Sequence, residues 1–247
     1  MYSPKIISLI SLISLILISC SSENTEQIEA NLLIEPNFEF SAEFFECKLN
    51  DGYTLLNLES FLSTLVRSDL EQNNVKYNIN VYFPKPNYVD QFIINVKNFS
   101  DQDIYNYILD RLSRRGFDEI ASCKFDKEEF YGQSLLVNEI EINNPDYVSE
   151  ILRCEYKEGY NYGTFRIAIE RFALEIKSLN ISYEVLYLYK KDNPNSFIWI
   201  NNIYKENFSS EISSNWIKNP VAENIKKEFI ENAKCIDARA YDAFLIT

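Results

Sequence analysis

The chain has 247 residues, 37 of them acidic against 24 basic, for a net charge of −13, and it contains no histidine. That balance repels nucleic acid and anionic headgroups, and no basic patch with interleaved aromatics offsets it, so no nucleic-acid partner is expected. The missing histidine excludes Ser-His-Asp and Cys-His catalysis, His-ligated zinc and a proximal-His haem.

The N-terminus reads as an export signal. Lys5 is the only charge before an apolar run from Ile6 to Ile18, which small residues close. The run is too short to span a bilayer comfortably, since a spanning helix needs about 20 apolar residues. Its end, "LISC" (Leu17–Cys20), resembles the lipobox of bacterial lipoproteins, with a tolerated Ile beside the cleavage position. The resemblance implies a signal peptide over residues 1–19 and a lipid-modified Cys20 that tethers the mature chain to a membrane. An ordinary cleaved signal and an uncleaved anchor are the alternatives. Residues 20–37 are polar, acidic and aperiodic, as a lipidated tether would be. Ser21 stands where an Asp would signal inner-membrane retention, so in a Gram-negative cell the resemblance favours the outer membrane, facing the periplasm.

From residue 38 onward the chain repeats itself. "ECKLNDGY" (Glu46–Tyr53) and "RCEYKEGY" (Arg153–Tyr160) place Cys, Gly and Tyr in one frame. Aligned on Cys47 and Cys154, Leu58, Phe61, Leu62 and Leu65 fall on Phe165, Ala168, Ile169 and Phe172. That i, i+3, i+4, i+7 spacing predicts one amphipathic helix per copy, each entered through a glycine turn at Gly52 or Gly159. Tyr53 and Tyr160 are expected to pack at the helix starts. Next come alternating strands over Val75–Phe83 and Ile181–Tyr189, then Pro- or Asn-Pro-containing turns. Second hairpin arms follow over Gln91–Val96 and Ser196–Tyr204. "NFS" recurs at Asn98–Ser100 and Asn207–Ser209, leading towards a second helix. In copy one Ser100, followed by Asp103, would cap it, Ile104, Tyr107, Ile108 and Leu112 would form its apolar face, and Gly116 would end it. "SNWIKNP" (Ser214–Pro220) reads as an irregular insertion carrying Trp216. Final strands begin at Ile120–Phe125 and Asn232–Ile246.

Each copy therefore reads β-α-β-β-α-β, the ferredoxin-like split βαβ, with one unit over residues 38–143 and a second over 144–247. By topology the tandem resembles the dimeric α+β barrel superfamily, in which two such units pack sheet to sheet. That resemblance implies an α+β fold of two tandem ferredoxin-like units forming the barrel within one chain. The Cys-x4-Gly frame with a late Cys is also similar to exported bacterial proteins of unassigned chemistry.

Besides Cys20, each copy holds one cysteine near the end of strand 1 and one near the start of strand 4: Cys47 with Cys123, and Cys154 with Cys235. In the split βαβ order these strands are antiparallel neighbours, so disulfides 47–123 and 154–235 are expected in an exported protein. Each would contribute on the order of 3–4 kcal/mol in the chain-entropy model. No C-x-x-C is present, which argues against exchange chemistry.

No catalytic motif, cofactor motif or metal-ligand spacing stands out, and no cofactor is expected. If the two sheets enclose a cavity, Tyr77, Tyr183 and Trp199 are the expected lining. The leading expectation is a lipid-anchored envelope protein that binds a small molecule or an envelope protein. The alternatives are a cofactor-independent enzyme like the small monooxygenases of this fold, and a structural envelope component.

Overall fold

A computed structural model describes residues 38–73, 75–85, 90–99, 103–126, 128–137, 146–178, 183–204 and 218–246. All belong to one compact unit, Ile34–Thr247. Cys20, the signal segment, the tether, "NFS" of copy two and Trp216 lie outside the described residues.

The first repeat contains β1 (Phe38–Leu49), α1 (Leu55–Asn73), β2 (Tyr77–Pro84), β3 (Gln91–Asn98), α2 (Ile104–Arg114), α3 (Phe117–Ile120), β4 (Ala121–Lys124) and β5 (Phe130–Val137). The second contains β6 (Asp146–Tyr156), α4 (Tyr162–Ser178), β7 (Tyr183–Lys190), β8 (Asn193–Tyr204), α5 (Pro220–Asn232) and β9 (Ala233–Ile246). Local chemistry sets the boundaries. Gly52 and Gly159 both adopt φ 85°, which reverses the chain into a helix where a side chain would be strained. Asp103 caps α2 by accepting from the Asn106 N–H at 3.3 Å, and Gly116, at φ 78°, separates α2 from α3. Asn219 caps α5 by accepting from the Val221 N–H at 2.9 Å, with Pro220 behind it. The end of "SNWIKNP", Asn219 and Pro220, is thus a helix start. Tyr53 and Tyr160, at the helix starts, are 37% and 38% exposed.

All nine strands join one sheet in the order β3-β2-β9-β6-β8-β7-β5-β1-β4, and a β3–β1 pairing closes it into a barrel. Within each repeat the order is the split βαβ one: β2-β3-β1-β4/β5 and β7-β8-β6-β9. The seams are β2 with β9 and β5 with β7, one strand from each repeat in both cases. The fold is therefore the expected intrachain α+β barrel. β4 and β5 lie end to end along β1. β5 was not foreseen as a separate strand. β9 covers the equivalent path as one strand, with a register shift opposite Ile151 and Arg153.

Closure buries both faces of most strands, giving three apolar clusters. Two lie between sheet and helices: Leu58, Leu62, Ile79, Ile94 and Ile108 belong to the first repeat's cluster, and Phe165, Ile169, Val185 and Trp199 to the second's. The third fills the lumen with Phe40, Ala42, Tyr82, Leu186, Leu188 and Ile200. Disulfides Cys47–Cys123 and Cys154–Cys235 join directly opposed residues of β1 and β4, and of β6 and β9.

Candidate functional site

Alternation along β7 and β8 separates two environments. Tyr183, Val185 and Tyr187, with Trp199, turn towards α4 and α5, whereas Leu186, Leu188 and Ile200 turn into the lumen. The three residues expected to line a cavity between the sheets all take the helix-facing side, and that expectation is corrected. The reason is parity. An apolar alternating set marks the buried face of a strand buried on one side, but a barrel strand buries both, and here the helices take the apolar set.

Tyr77 lies in the first repeat's helix-facing core, where its hydroxyl donates to Asp69 Oδ2 at 2.7 Å. Asp69 is fully buried and also paired with Arg111. Tyr183 and Trp199 instead line a cavity of about 700 Å³ between the second sheet and α5. Aromatic rings form one wall, and Lys218, Asn219, Glu223 and Lys226 line the side around the start of α5. The Phe165 ring lies 5.5 Å from Trp199 and 5.2 Å from Phe229, and Phe172 lies 5.3 Å from Tyr183. The polar groups of the aromatic wall converge on one amide: Trp199 Nε1–H donates to Asn201 Oδ1 at 2.5 Å, and the Tyr183 hydroxyl donates to the same oxygen. Asn201 Nδ2 in turn donates to Glu150 Oε2 at 2.9 Å. Burial, reinforced by the Glu150 carboxylate, raises the Tyr183 pKa well above the ordinary phenol value. Tyr183 is therefore a neutral hydroxyl at any physiological pH, fit to donate or accept but not to act as a phenolate base.

The repeats differ at this place because their side chains differ. Phe92 opposes Cys47 as Phe197 opposes Cys154, so Ile94 and Val96 stand where Trp199 and Asn201 do. Asp69 occupies the helix position of Ile176 in the same alignment. The first repeat closes over this space with Leu62, Leu65, Ile108 and Phe117, all buried. The second has Ala222 and Ile225 on α5, and the space remains.

A second polar set was not foreseen. In the lumen Lys97 Nζ approaches Glu184 Oε1 at 3.8 Å, and their side chains are only 7% and 8% exposed. Glu184 also accepts from Ser134 at 2.8 Å, Asn202 at 2.9 Å and Tyr204 at 3.3 Å. Burial pushes its pKa up, but Lys97 and these donors outweigh it and hold the carboxyl below its ordinary value. The set joins β3 and β5 of the first repeat to β7 and β8 of the second. Nearby, the Tyr147 hydroxyl donates to Asn80 Oδ1 at 2.8 Å. The sequence signal was available in "SYEVLY" and "INNIY", where polar residues interrupt strands that have no exposed face. Among the described residues, no group of three or more Cys, Asp or Glu is placed to hold a metal ion. None of the described helices is long and apolar enough to cross a membrane. The two disulfides indicate an oxidising compartment, extracellular or periplasmic.

No protein-family model and no curated protein matches the chain. Solved structures do. A protein assigned as a monooxygenase from Lactobacillus acidophilus is 13% identical with a TM-score of 0.51, over 85% of this chain and 96% of its own. A Fusobacterium nucleatum protein with the same assignment is 9% identical with a TM-score of 0.50, over 85% and 93%. Chlorite dismutase from Candidatus Nitrospira defluvii, in complex with imidazole, is 9% identical with a TM-score of 0.52, over 87% and 94%. At these identities the likeness establishes the fold, that of dimeric α+β barrel proteins. The neighbours are described as enzymes, and this overturns the leading expectation of a binding or interaction module in favour of its enzyme alternative.

Proposed function

We propose that the chain is a monooxygenase-like enzyme acting on a planar, largely apolar aromatic substrate in the helix-side cavity of the second repeat. The observation that carries this reading is the cavity itself, in which five aromatic side chains surround a convergent polar cluster, at a place where the first repeat packs the buried Leu62, Leu65, Ile108 and Phe117. Its volume falls in the range of about 300–1,000 Å³ usual for small-molecule sites. Stacking against Phe165, Phe172, Trp199 and Phe229 would hold the rings. A substrate oxygen reaching the polar cluster would meet the Tyr183 hydroxyl and the Asn201 amide, both held by the bonds already described. An electron-rich substrate can supply its own electrons. Oxidation of a hydroxylated ring to its quinone by dioxygen places one oxygen atom in the product and the other, with the two hydrogens lost, in water, so the reaction balances without a further reductant. The enzymatic descriptions of the structural neighbours support the same class.

The lipobox resemblance and the oxidising compartment together support a finer placement: attachment through a lipid on Cys20 to the outer membrane, facing the periplasm. Globomycin should arrest maturation at Cys20, and normal processing in its presence would remove that reading.

For the activity, a Trp216→Phe background leaves Trp199 as the reporter. Hydroxylated naphthalenes and anthracenes should quench its fluorescence saturably. At least one should drive oxygen uptake that Asn201→Ala lowers at least tenfold. Absence of saturable quenching, or uptake no faster than in buffer across the series, would refute the reading. Native mass spectrometry of the purified chain adds a check for a retained aromatic molecule.

A further inference from the structure

One end of the barrel holds a second cavity, of about 630 Å³, on the opposite face of β8 from Trp199. It opens where β1 and β6 both end. Its apolar wall is Phe44, Ile93, Phe130, Ile151 and Ile198, its cations are Lys124, Arg153, Lys190 and Arg239, and its carboxylates are Glu46, Asp126, Glu128 and Glu155. Two of the cations are neutralised locally: Lys124 lies 3.3 Å from Glu46, and Lys190 lies 3.1 Å from Glu128. Arg153 and Arg239 have no carboxylate within ion-pair distance among the described residues.

The repeat explains how this came about. Glu46 opposes Lys124 across β1 and β4, and Arg153 opposes Ile236 across β6 and β9 in the same frame relative to the disulfides. The second repeat has therefore replaced an acid by a base and replaced that pair's lysine by isoleucine. The register shift in β9 lies between Ile236 and Arg239, and shifts of this kind re-aim side chains. Tyr241, on the lumen side, completes the group. Burial raises its hydroxyl pKa, and the adjoining Arg239 and Arg153 draw it back, Arg239 through a hydrogen bond. Like charges on neighbouring strands repel one another. Among the described residues the cavity's own Asp126 and Glu155 form no ion pair with either guanidinium, so the arrangement favours an anion supplied from outside.

We propose that the barrel mouth binds an amphipathic anion, its carboxylate or phosphate head held by Arg153, Arg239 and Tyr241 and its short apolar chain lying on Phe44, Ile93 and Ile198. This goes beyond the oxygenase reading and does not depend on it, because the two cavities lie on opposite faces of β8.

The test is isothermal titration calorimetry of the full chain with octanoate, octyl phosphate, octylamine, octanol and inorganic phosphate. Octanoate or octyl phosphate should bind once per chain, at least tenfold more tightly than octanol, and octylamine should not bind. Whichever head is preferred identifies the source, a free carboxylic acid or a phosphorylated lipid. Arg153→Gln and Arg239→Gln should each weaken the preferred anion about tenfold, with an unchanged thermal midpoint, since both side chains are exposed. Equal binding of octanoate and octylamine by the unaltered protein would overturn the proposal without recourse to any variant. So would inorganic phosphate binding as tightly as octyl phosphate, because the apolar wall would then contribute nothing.

Discussion

Lys97→Met should be among the most damaging single substitutions in the barrel. The ammonium sits 3.8 Å from Glu184 Oε1 in a lumen that leaves the two side chains 7% and 8% exposed. At that separation and an effective dielectric of about 20, the attraction is about 4 kcal/mol. Removing the lysine leaves a buried carboxylate with Ser134, Asn202 and Tyr204 as donors and no countercharge, which typically costs about 3–5 kcal/mol. Methionine fills most of the volume, so the loss is electrostatic rather than a cavity effect.

Its signature is the pH dependence. In the unaltered chain the Glu184 pKa is depressed in the folded state, so its contribution is present above the unfolded carboxylate pKa and disappears as pH falls through the lower folded value. Without Lys97, burial dominates and the folded pKa rises above the unfolded one. The variant's deficit should then be greatest near pH 7–8 and shrink towards pH 5 as Glu184 takes up a proton. Urea unfolding followed by far-UV circular dichroism across that range reads both effects. Lys97→Met combined with Glu184→Gln should recover part of the loss, because no buried charge is left. A deficit under about 1 kcal/mol, independent of pH, would mean that water solvates the lumen, and the reasoning would fail.

Gly132→Ala tests how tightly the same lumen is packed. An added Cβ would lie 2.5 Å from Leu188 Cδ2 and 2.6 Å from the Phe40 ring, so the change should cost about 1–3 kcal/mol in thermal or urea unfolding. Cys154→Ser with Cys235→Ser opens a link across 81 residues and should cost about 4 kcal/mol, measured against the intact protein without reductant. Asp69→Asn should destabilise by about 2–4 kcal/mol, since Arg111 loses its buried countercharge while Tyr77 keeps a hydrogen-bond acceptor. In equilibrium unfolding, a similar loss on converting its positional counterpart Ile176 to Val would contradict the view that the two repeats are packed differently here.

The architecture was legible because it is written twice. The Cys-x4-Gly frame, the i, i+3, i+4, i+7 set after it and the alternating hairpins each recur, and a reading repeated at matching positions is hard to obtain by chance. The disulfides followed from strand order alone. The site was much less legible. Tyr77, Tyr183 and Trp199 were assigned to the space between the sheets because apolar alternation was taken to mark the inward face. In a closed barrel the second face is buried too, and its members, among them Lys97, Ser134, Glu184 and Asn202, look like solvent-facing residues when read as sequence. β5 was missed for a related reason, since Ser134 and Gln133 break its apolar pattern.

Divergence between the copies therefore says more about function than their likeness does. Where the repeats agree, at the disulfides, the glycine turns and the apolar faces of α1 and α4, the shared feature is structural. Where they disagree, one copy has closed a space and the other has kept it. Ile94 and Val96 fill what Trp199 and Asn201 line, and the Glu46–Lys124 pair silences a position that Arg153 leaves charged. Both departures fall in the second repeat, on either side of β8. A strand with period two can serve two sites: Trp199 and Asn201 reach the helix-side cavity, Ser196 and Ile198 reach the barrel mouth, and Cys154 on the neighbouring β6 borders both. Changes confined to one face should accordingly leave the other intact, whereas a substitution that shifts the register of β8, such as proline at Ile200, should abolish both together.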